Sequence, residues 1–114
     1  MADQIQIEDF ERVEIRVGVI REVEDFPEAR KPLYRLRIDF GPETGERRSA
    51  AGLPEGYPDK DALLGRQVLA VLNFPPRRIA KFMSECLVLG VPDEAGGLSL
   101  LAPDRPVPLG GRVY

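Results

Sequence analysis

The feature that most constrains the fold is an alternating run near the N-terminus, VEIRVGV at residues 13–19. Its Val and Ile side chains occupy every second position, which predicts a strand with one buried face. Gly18 interrupts the run, and the alternation changes phase at Val19 and Ile20, which predicts a bulge or a sharp bend. The strand continues toward Val23 and is long enough to bend around a small barrel.

Two further runs predict a β-hairpin. LYRLRIDF at residues 33–40 alternates cleanly, and GPETG at residues 41–45 has the composition of a turn. ERRSAAG at residues 46–52 returns as a weaker antiparallel strand. On this reading the hairpin carries an outward row of arginines: Arg35, Arg37, Arg47 and Arg48.

The remaining strands, VLAVL at residues 68–72 and CLVLGV at residues 86–91, are apolar on both faces. A second layer or a second subunit is therefore expected to cover their outer side. A short helical segment at residues 59–64, ended by Gly65, precedes them. The pattern predicts an all-β fold over residues 1–114, an OB-fold five-stranded barrel with short helical segments. An SH3-like barrel has no natural place for the helical segment.

The two apolar strands are joined by NFPPRRIAKFMSE at residues 73–85. Pro75 and Pro76 cannot donate ladder hydrogen bonds, so the preceding strand must end there. Connectors of this kind lie on the surface and often carry function. This one holds three cations, which indicates an anionic ligand.

The composition of the chain limits the kinds of catalytic and metal site that it can form. The chain has no histidine and a single cysteine, so it lacks the commonest general base, the usual zinc sites and an internal disulfide. We therefore predict no enzyme activity, no catalytic residue, no metal and no cofactor. The acidic N-terminus argues against a signal peptide, and the apolar runs are too short for membrane insertion, so a cytoplasmic protein is expected.

Charge is distributed unevenly along the chain. Residues 1–29 carry a balance of −6, residues 30–81 a balance of +5 and residues 82–114 a balance of −2. In an OB-fold, nucleic acids bind across the second and third strands and the loops between strands 1–2 and 4–5. Nine of the sixteen cations fall on that surface in this sequence, in the hairpin row and at Arg30, Lys31, Arg77, Arg78 and Lys81. This convergence predicts a polyanion-binding face.

Three segments resemble the tRNA-binding domain family: DFERVEIRVGVI, FPEARKPLYRLRIDFG and NFPPRRIAKFMSECLVLGVPDE. Within that family the chain is most similar to a branch of small stand-alone, export-related chaperones. The resemblance implies an OB-fold homodimer that binds tRNA by shape, and possible binding of unfolded or exported polypeptides. It also implies a set of RNA-binding positions, which together with the cations give these candidates: Lys31, Arg35, Arg37, Asn73, Arg77, Arg78, Lys81 and Ser84.

Two binding functions stay open. The first is structure-selective tRNA binding, because arginines and hydroxyls can contact the phosphates and 2′-hydroxyls of folded RNA without reading bases. The alternative is an export-related chaperone that binds unfolded polypeptides in apolar grooves at Phe74, Ile79 and Phe82. The two phenylalanines are expected to pack in the core or at an interface, and exposed aromatic platforms for single-stranded RNA are not expected.

Overall fold

The structure, a computed structural model, describes residues 2–114 and consists mainly of short antiparallel strands. A five-residue helix, α1 (Ile7–Glu11), precedes them, and a 3₁₀ helix (Lys60–Leu63) lies between the third and fourth. The strands are β1 (Ile15–Asp25), β2 (Tyr34–Asp39), β3 (Glu46–Ala51), β4 (Gln67–Val71), β5 (Arg77–Ile79), β6 (Phe82–Ser84), β7 (Leu87–Val88), β8 (Gly90–Pro92) and β9 (Leu98–Leu100).

Five of these strands form the predicted barrel. Their order in the sheet is β3-β2-β1-β4-β7, with all neighbours antiparallel. The sheet curls until β3 meets the segment before β7, where the backbone N–H of Glu85 donates to the carbonyl of Arg48 at 2.7 Å. Beside it the Ser49 hydroxyl donates to the carbonyl of Cys86 at 2.9 Å. The OB-type five-stranded barrel is therefore confirmed.

The bend predicted in the first strand is present. The first half of β1 pairs with β4 and the second half pairs with β2, and the register shifts between Ile20 and Glu22. Gly18 lies where β1 crosses the core, and a Cβ at this position would come within 2.5 Å of the Ile38 side chain. Glycine is needed here because the chain approaches the opposite wall too closely for any side chain.

The core follows the alternation of β2. Tyr34, Leu36 and Ile38 are buried, while the residues between them are half-exposed. They pack with Ile20 and Val68 at the centre of the barrel. The buried Tyr34 hydroxyl donates to the carbonyl of Tyr57 at 2.8 Å, so its polar end is satisfied.

The two helical segments differ in how much of them is buried. The 3₁₀ helix forms where predicted, with the Asp59 carboxylate accepting a hydrogen bond from the N–H of Asp61 at 3.1 Å. The N-terminal helix α1 does not pack on the barrel through Ile7, which is 67 % exposed. None of the α1 residues is buried. Within residues 2–114, no helix has the length and apolarity needed to cross a membrane.

The C-terminal segment completes the sheet beside the first half of β1. The Gly110 N–H donates to the Val17 carbonyl at 2.8 Å, and the Val17 N–H donates to the Gly111 carbonyl at 3.0 Å. One step further, the Val113 N–H donates to the Ile15 carbonyl at 3.0 Å. These bonds cover an edge of β1 that β2 leaves unpaired.

Candidate nucleic-acid interface

The connector at residues 73–85 contains a hairpin of its own, which the sequence did not predict. Strands β5 and β6 pair from Arg77 with Ser84 to Ile79 with Phe82. The two turn residues are Ala80 and Lys81, and Ala80 has the left-handed φ of 52° that such tight hairpins require. The β5–β6 hairpin therefore projects its turn, with a lysine at the tip, from the side of the barrel.

The base of the β5–β6 hairpin is fastened to β3 by side chains of the Ser-Glu pair. The Ser84 hydroxyl accepts a hydrogen bond from the Ala50 N–H at 3.1 Å, and the Glu85 carboxylate accepts one from the Arg48 N–H at 2.9 Å. The Ser84 hydroxyl also lies 3.4 Å from the carbonyl of Cys86, to which it can donate. Ser84, a predicted RNA contact, thus bonds to the protein and holds the hairpin in place.

Five exposed cations lie on two loops. Arg30 and Lys31 lie on the loop between β1 and β2, and Arg77, Arg78 and Lys81 lie on the β5–β6 hairpin. All five are exposed, and none forms an ion pair with any residue in the range 2–114. The two loops therefore carry positive charge that the protein does not neutralise.

The arginines of the hairpin β2–β3 behave differently. Arg37 forms ion pairs with both Glu22, at 3.4 Å, and Glu46. Arg35 pairs with Glu24 at 3.9 Å, and its guanidinium carbon lies 5.3 Å from the centre of the Phe26 ring. Arg35 and Arg37, both predicted RNA contacts, therefore have their charge largely compensated by acidic neighbours on the same surface.

The predicted outward row of four arginines is wrong at Arg47. Adjacent residues of a strand point to opposite faces. Arg47 lies opposite Ile38 in the register, on the same face of β3 as the buried Ser49, whereas Arg48 lies opposite Arg37. Only Arg48 joins the outer face, where its guanidinium pairs with Glu85 at 3.6 Å.

Asn73 connects the N-terminal segment to the start of the connector. Its side-chain oxygen accepts a hydrogen bond from the Glu14 N–H at 2.9 Å, and its side-chain nitrogen donates to the Arg12 carbonyl at 2.7 Å. Both ends of the amide therefore have partners within the chain. Asn73, also predicted to contact RNA, positions the backbone from which the β5–β6 hairpin departs.

The predicted apolar residues of the connector separate into two environments. Phe82 is half-buried and packs edge-to-face against Phe26, with ring centres 5.5 Å apart, as expected of a packing residue. Phe74 is 51 % exposed, so it does not pack in the core of the subunit, and its packing at an interface stays a prediction. Ile79 is half-buried, and Leu87 beside it is 50 % exposed.

These exposed residues border a continuous groove. A cavity of about 700 Å³ lies between the β1–β2 loop and the β5–β6 hairpin. A smaller one of about 260 Å³ extends from it to Phe74. The residues that line both are Ala50, Arg77, Ile79 and Leu87. We call the two together the loop groove; its floor is apolar and its rim carries four of the five unpaired cations.

The one thiol of the chain lies behind this surface. Cys86 is buried, and burial raises the pKa of its thiol to about 11. Such a thiol stays protonated near neutral pH and is a poor nucleophile. Among residues 2–114, no cluster of three or more His, Cys, Asp or Glu side chains is placed to hold a metal. The cations of this surface can bind anions, and the apolar floor of the groove can bind apolar groups.

Comparison with protein families gives a match over most of the barrel. Residues 15–112 match the family described as "Putative tRNA binding domain". The matched region runs from the start of β1 to the C-terminal segment that pairs with it, and so contains both cationic loops.

Individual proteins match over nearly the whole chain. Crystal structures of the chaperone CsaA superpose on it with TM-scores of 0.90 for the Bacillus anthracis protein and 0.88 for that of Picrophilus torridus. Identities are 43 % and 44 %, covering 98 % and 97 % of this chain and all of theirs. A methionine–tRNA ligase of Methanocaldococcus jannaschii is 33 % identical over 97 % of this chain, which spans only 16 % of that enzyme.

Proposed function

Because this chain belongs to the tRNA-binding domain family, as its three motifs indicated, we propose that it binds tRNA by shape and has no catalytic role. The family model covers residues 15–112, and the two CsaA structures cover 98 % and 97 % of this chain. A CsaA-like chaperone role is part of the same proposal. The chain spans 16 % of the Methanocaldococcus jannaschii methionine–tRNA ligase, and the similarity is to that part of the enzyme.

The observation that carries the proposal is the set of five unpaired cations on two neighbouring loops. The chain as a whole has a net charge of −3, so it does not attract RNA by its overall charge. Arg35 and Arg37 on β2 are compensated by ion pairs, whereas the five loop cations form none with residues 2–114. Arginines and lysines placed in this way contact phosphates, which gives binding that depends on the shape of the backbone rather than on base sequence.

The roles of the candidate residues follow from this arrangement. Lys31, Arg77, Arg78 and Lys81 would contact phosphates directly. Arg35 and Arg37 would contribute less, because each must give up or share an acidic partner to bind RNA. Asn73 and Ser84 would act by holding the β5–β6 hairpin, through the hydrogen bonds they make within the chain.

The test is the salt dependence of tRNA affinity. Each lost phosphate contact lowers the slope of log K against log salt by about one. Replacing Arg77, Arg78 and Lys81 by Ala should weaken tRNA binding and flatten that slope by up to about three. A triple variant that binds tRNA with the wild-type affinity and slope would remove these residues from the site.

A control variant must carry the same change in net charge. Arg21, Arg66 and Arg105 are exposed and lie outside both cationic loops. Their replacement by Ala removes three positive charges while the loops stay intact. If this control weakens binding as much as the loop variant does, the effect comes from net charge, and the assignment of a local site fails.

A second candidate function is the binding of unfolded polypeptides. The exposed Phe74 and Leu87, with the half-buried Ile79, give the loop groove an apolar floor that an extended chain could occupy. Phe82 would take a smaller part, because its ring already packs on Phe26. This activity should suppress the aggregation of a model protein with little salt dependence and should survive in the loop-cation variant. Strong salt dependence, or loss of suppression in that variant, would contradict it.

We further propose that the protein is a cytoplasmic homodimer. Ile5 and Ile7 are 71 % and 67 % exposed, and α1 buries none of its residues. Short helices are not stable without tertiary packing, so α1 needs a surface to cover. The outer side of the barrel near Val91, which is 51 % exposed and lies outside the loop groove, provides one on a second subunit. Two copies of the cationic loops would raise tRNA affinity through avidity.

The dimer is tested by sedimentation equilibrium. Replacing Ile7 by Ser should shift the mass toward that of one chain while the folded barrel is retained. A wild-type protein that sediments as a monomer at all concentrations would contradict the proposal.

A further inference from the structure

We propose that the loop groove receives one unpaired nucleotide of the bound RNA, whose base stacks on Phe74 and whose phosphate lies on Arg77. The inference rests on the proposed tRNA binding and makes it more specific, since it names an element of RNA structure that the protein would prefer. It assigns a base to the apolar floor of the groove, beside the phosphate contacts that the loop cations make.

The first argument is the exposure of Phe74. Its ring is 51 % exposed at one end of the groove, next to Leu87, which is 50 % exposed. An aromatic ring that the subunit does not bury is a surface on which a base can stack. Phe82, the other aromatic residue of the connector, packs on Phe26 and is not available in this way.

The second argument is the charge that borders the ring. Arg77 lines both parts of the groove and forms no ion pair with residues 2–114. Arg30, Lys31 and Arg78 also line the larger part, where the carboxylate is that of Glu28, and the smaller part has the carboxylate of Glu85, which pairs with Arg48. An apolar floor with a cationic rim matches a nucleotide, which has one flat apolar face and one anionic group.

The third argument is size and position. Phe74 lines the smaller part of the groove, of about 260 Å³, which joins the larger part, of about 700 Å³, through the shared residues Arg77, Ile79 and Leu87. The larger part lies between the β1–β2 loop and the β5–β6 hairpin, where the proposed phosphate contacts converge. A stacked duplex cannot place a base there, whereas a bulge or a loop can turn one out.

The experiment compares two RNA stem-loops that differ by one unpaired adenosine in the stem. The wild-type protein should bind the bulged RNA more tightly than the fully paired one. Phe74→Ala should lower affinity for the bulged RNA about tenfold and leave the paired RNA unchanged, because a stacked base contributes roughly 1–3 kcal/mol. Phe74→Trp should keep the preference. Leu64→Ala, at an exposed apolar residue outside the groove, is the matched control.

A spectroscopic readout separates stacking from a general loss of affinity. With 2-aminopurine in place of the bulged adenosine, binding to the wild type should change its fluorescence, and binding to Phe74→Ala at saturating protein should not. Thermal unfolding and sedimentation of each variant report on its fold and its subunit number.

The outcomes divide as follows. Equal affinity of the wild type for both RNAs, with steep salt dependence, would overturn the nucleotide site and leave tRNA binding standing. No binding of either RNA would overturn the proposed function itself. If Phe74→Ala loses peptide binding and keeps the bulge preference, the groove belongs to polypeptides. If it dissociates a dimer, Phe74 belongs to the subunit interface, and the inference is likewise overturned.

Discussion

Replacing Glu85 by Ala should release the β5–β6 hairpin from the barrel and reduce RNA affinity without removing any cation. The Glu85 carboxylate accepts a hydrogen bond from the Arg48 N–H at 2.9 Å and pairs with the Arg48 guanidinium at 3.6 Å. The same guanidinium lies 5.2 Å from the centre of the Phe82 ring on β6. One carboxylate thus orders the edge of β3 and, through Arg48, the adjacent hairpin.

The size of the effect follows from these contacts. A hydrogen bond to a charged group contributes about 1.5–3 kcal/mol, and an exposed ion pair adds about 0–1 kcal/mol. The Glu85 and Arg48 side chains are 36 % and 53 % exposed, so water replaces part of both interactions. A loss of about 1–2 kcal/mol in the free energy of unfolding is expected. For a chain of 114 residues this lowers Tm by about 4–8 °C.

The assay combines thermal unfolding with tRNA binding over a range of salt concentrations. In Glu85→Ala the affinity should fall several-fold, because the cations on the hairpin are less well placed, while the salt slope keeps its wild-type value. Glu85→Gln keeps an acceptor oxygen for the Arg48 N–H and should lose less stability.

The control is a second carboxylate near the same surface. Glu28 borders the loop groove and forms no ion pair with residues 2–114. Glu28→Gln should raise RNA affinity, because it removes only repulsion. If Glu85→Ala also raises affinity, or keeps the wild-type Tm, the carboxylate acts as a simple charge and the reasoning about the hairpin is refuted.

Three further predictions concern the barrel. Gly18→Ala places a Cβ within 2.5 Å of Ile38 and should cost about 1–3 kcal/mol or more in chemical denaturation; an unchanged midpoint would contradict the close approach. Asn73→Ala removes both bonds to the N-terminal segment and should speed amide hydrogen exchange at Glu14, with β2 unaffected as the internal reference. Because the pKa of Cys86 is raised to about 11 in the folded protein, the unfolded thiol ionises first as the pH rises. The free energy of unfolding should therefore fall between pH 9 and about 11, and less steeply in Cys86→Ala. Rapid alkylation of the native protein at neutral pH would contradict the burial of Cys86.

The features that the sequence predicted well are those encoded by local pattern. The alternation of residues 33–40 placed Tyr34, Leu36 and Ile38 inside, and Gly18 marked the bend of β1. The helical segment at residues 59–64 was placed with the help of the glycine that ends it, and the structure shows that Asp59 caps it. Each of these depends on neighbours within a few residues, and the barrel type followed from their order.

The β5–β6 hairpin was missed for a local reason. Its turn has Ala80 at the left-handed position, where glycine or asparagine is the usual signal. The conformation is imposed from outside, since Ser84 and Glu85 fasten the strand that follows to β3. A turn held by contacts some thirty residues away leaves no signature in its own sequence.

The charge state of the predicted site was also beyond the sequence. Whether Arg37 is free or paired depends on the register of β1 against β2, and the bulge in β1 sets that register by bringing Glu22 opposite Arg37. Counting cations therefore singled out one face of the barrel but could not separate the compensated arginines of the strands from the unpaired cations of the loops. The exposure of Phe74 likewise depends on how far the connector stands away from the barrel.

The pairing of Gly110, Gly111 and Val113 with β1 has a consequence for how the protein is made. Strand β1 is the first strand of the barrel to leave the ribosome, and the C-terminal segment that bonds to it is synthesised roughly a hundred positions later. Until then, one half of β1 has an open edge that can pair with another nascent chain. We expect the barrel to close only after residue 113 has emerged, so folding is completed after synthesis of the region rather than during it.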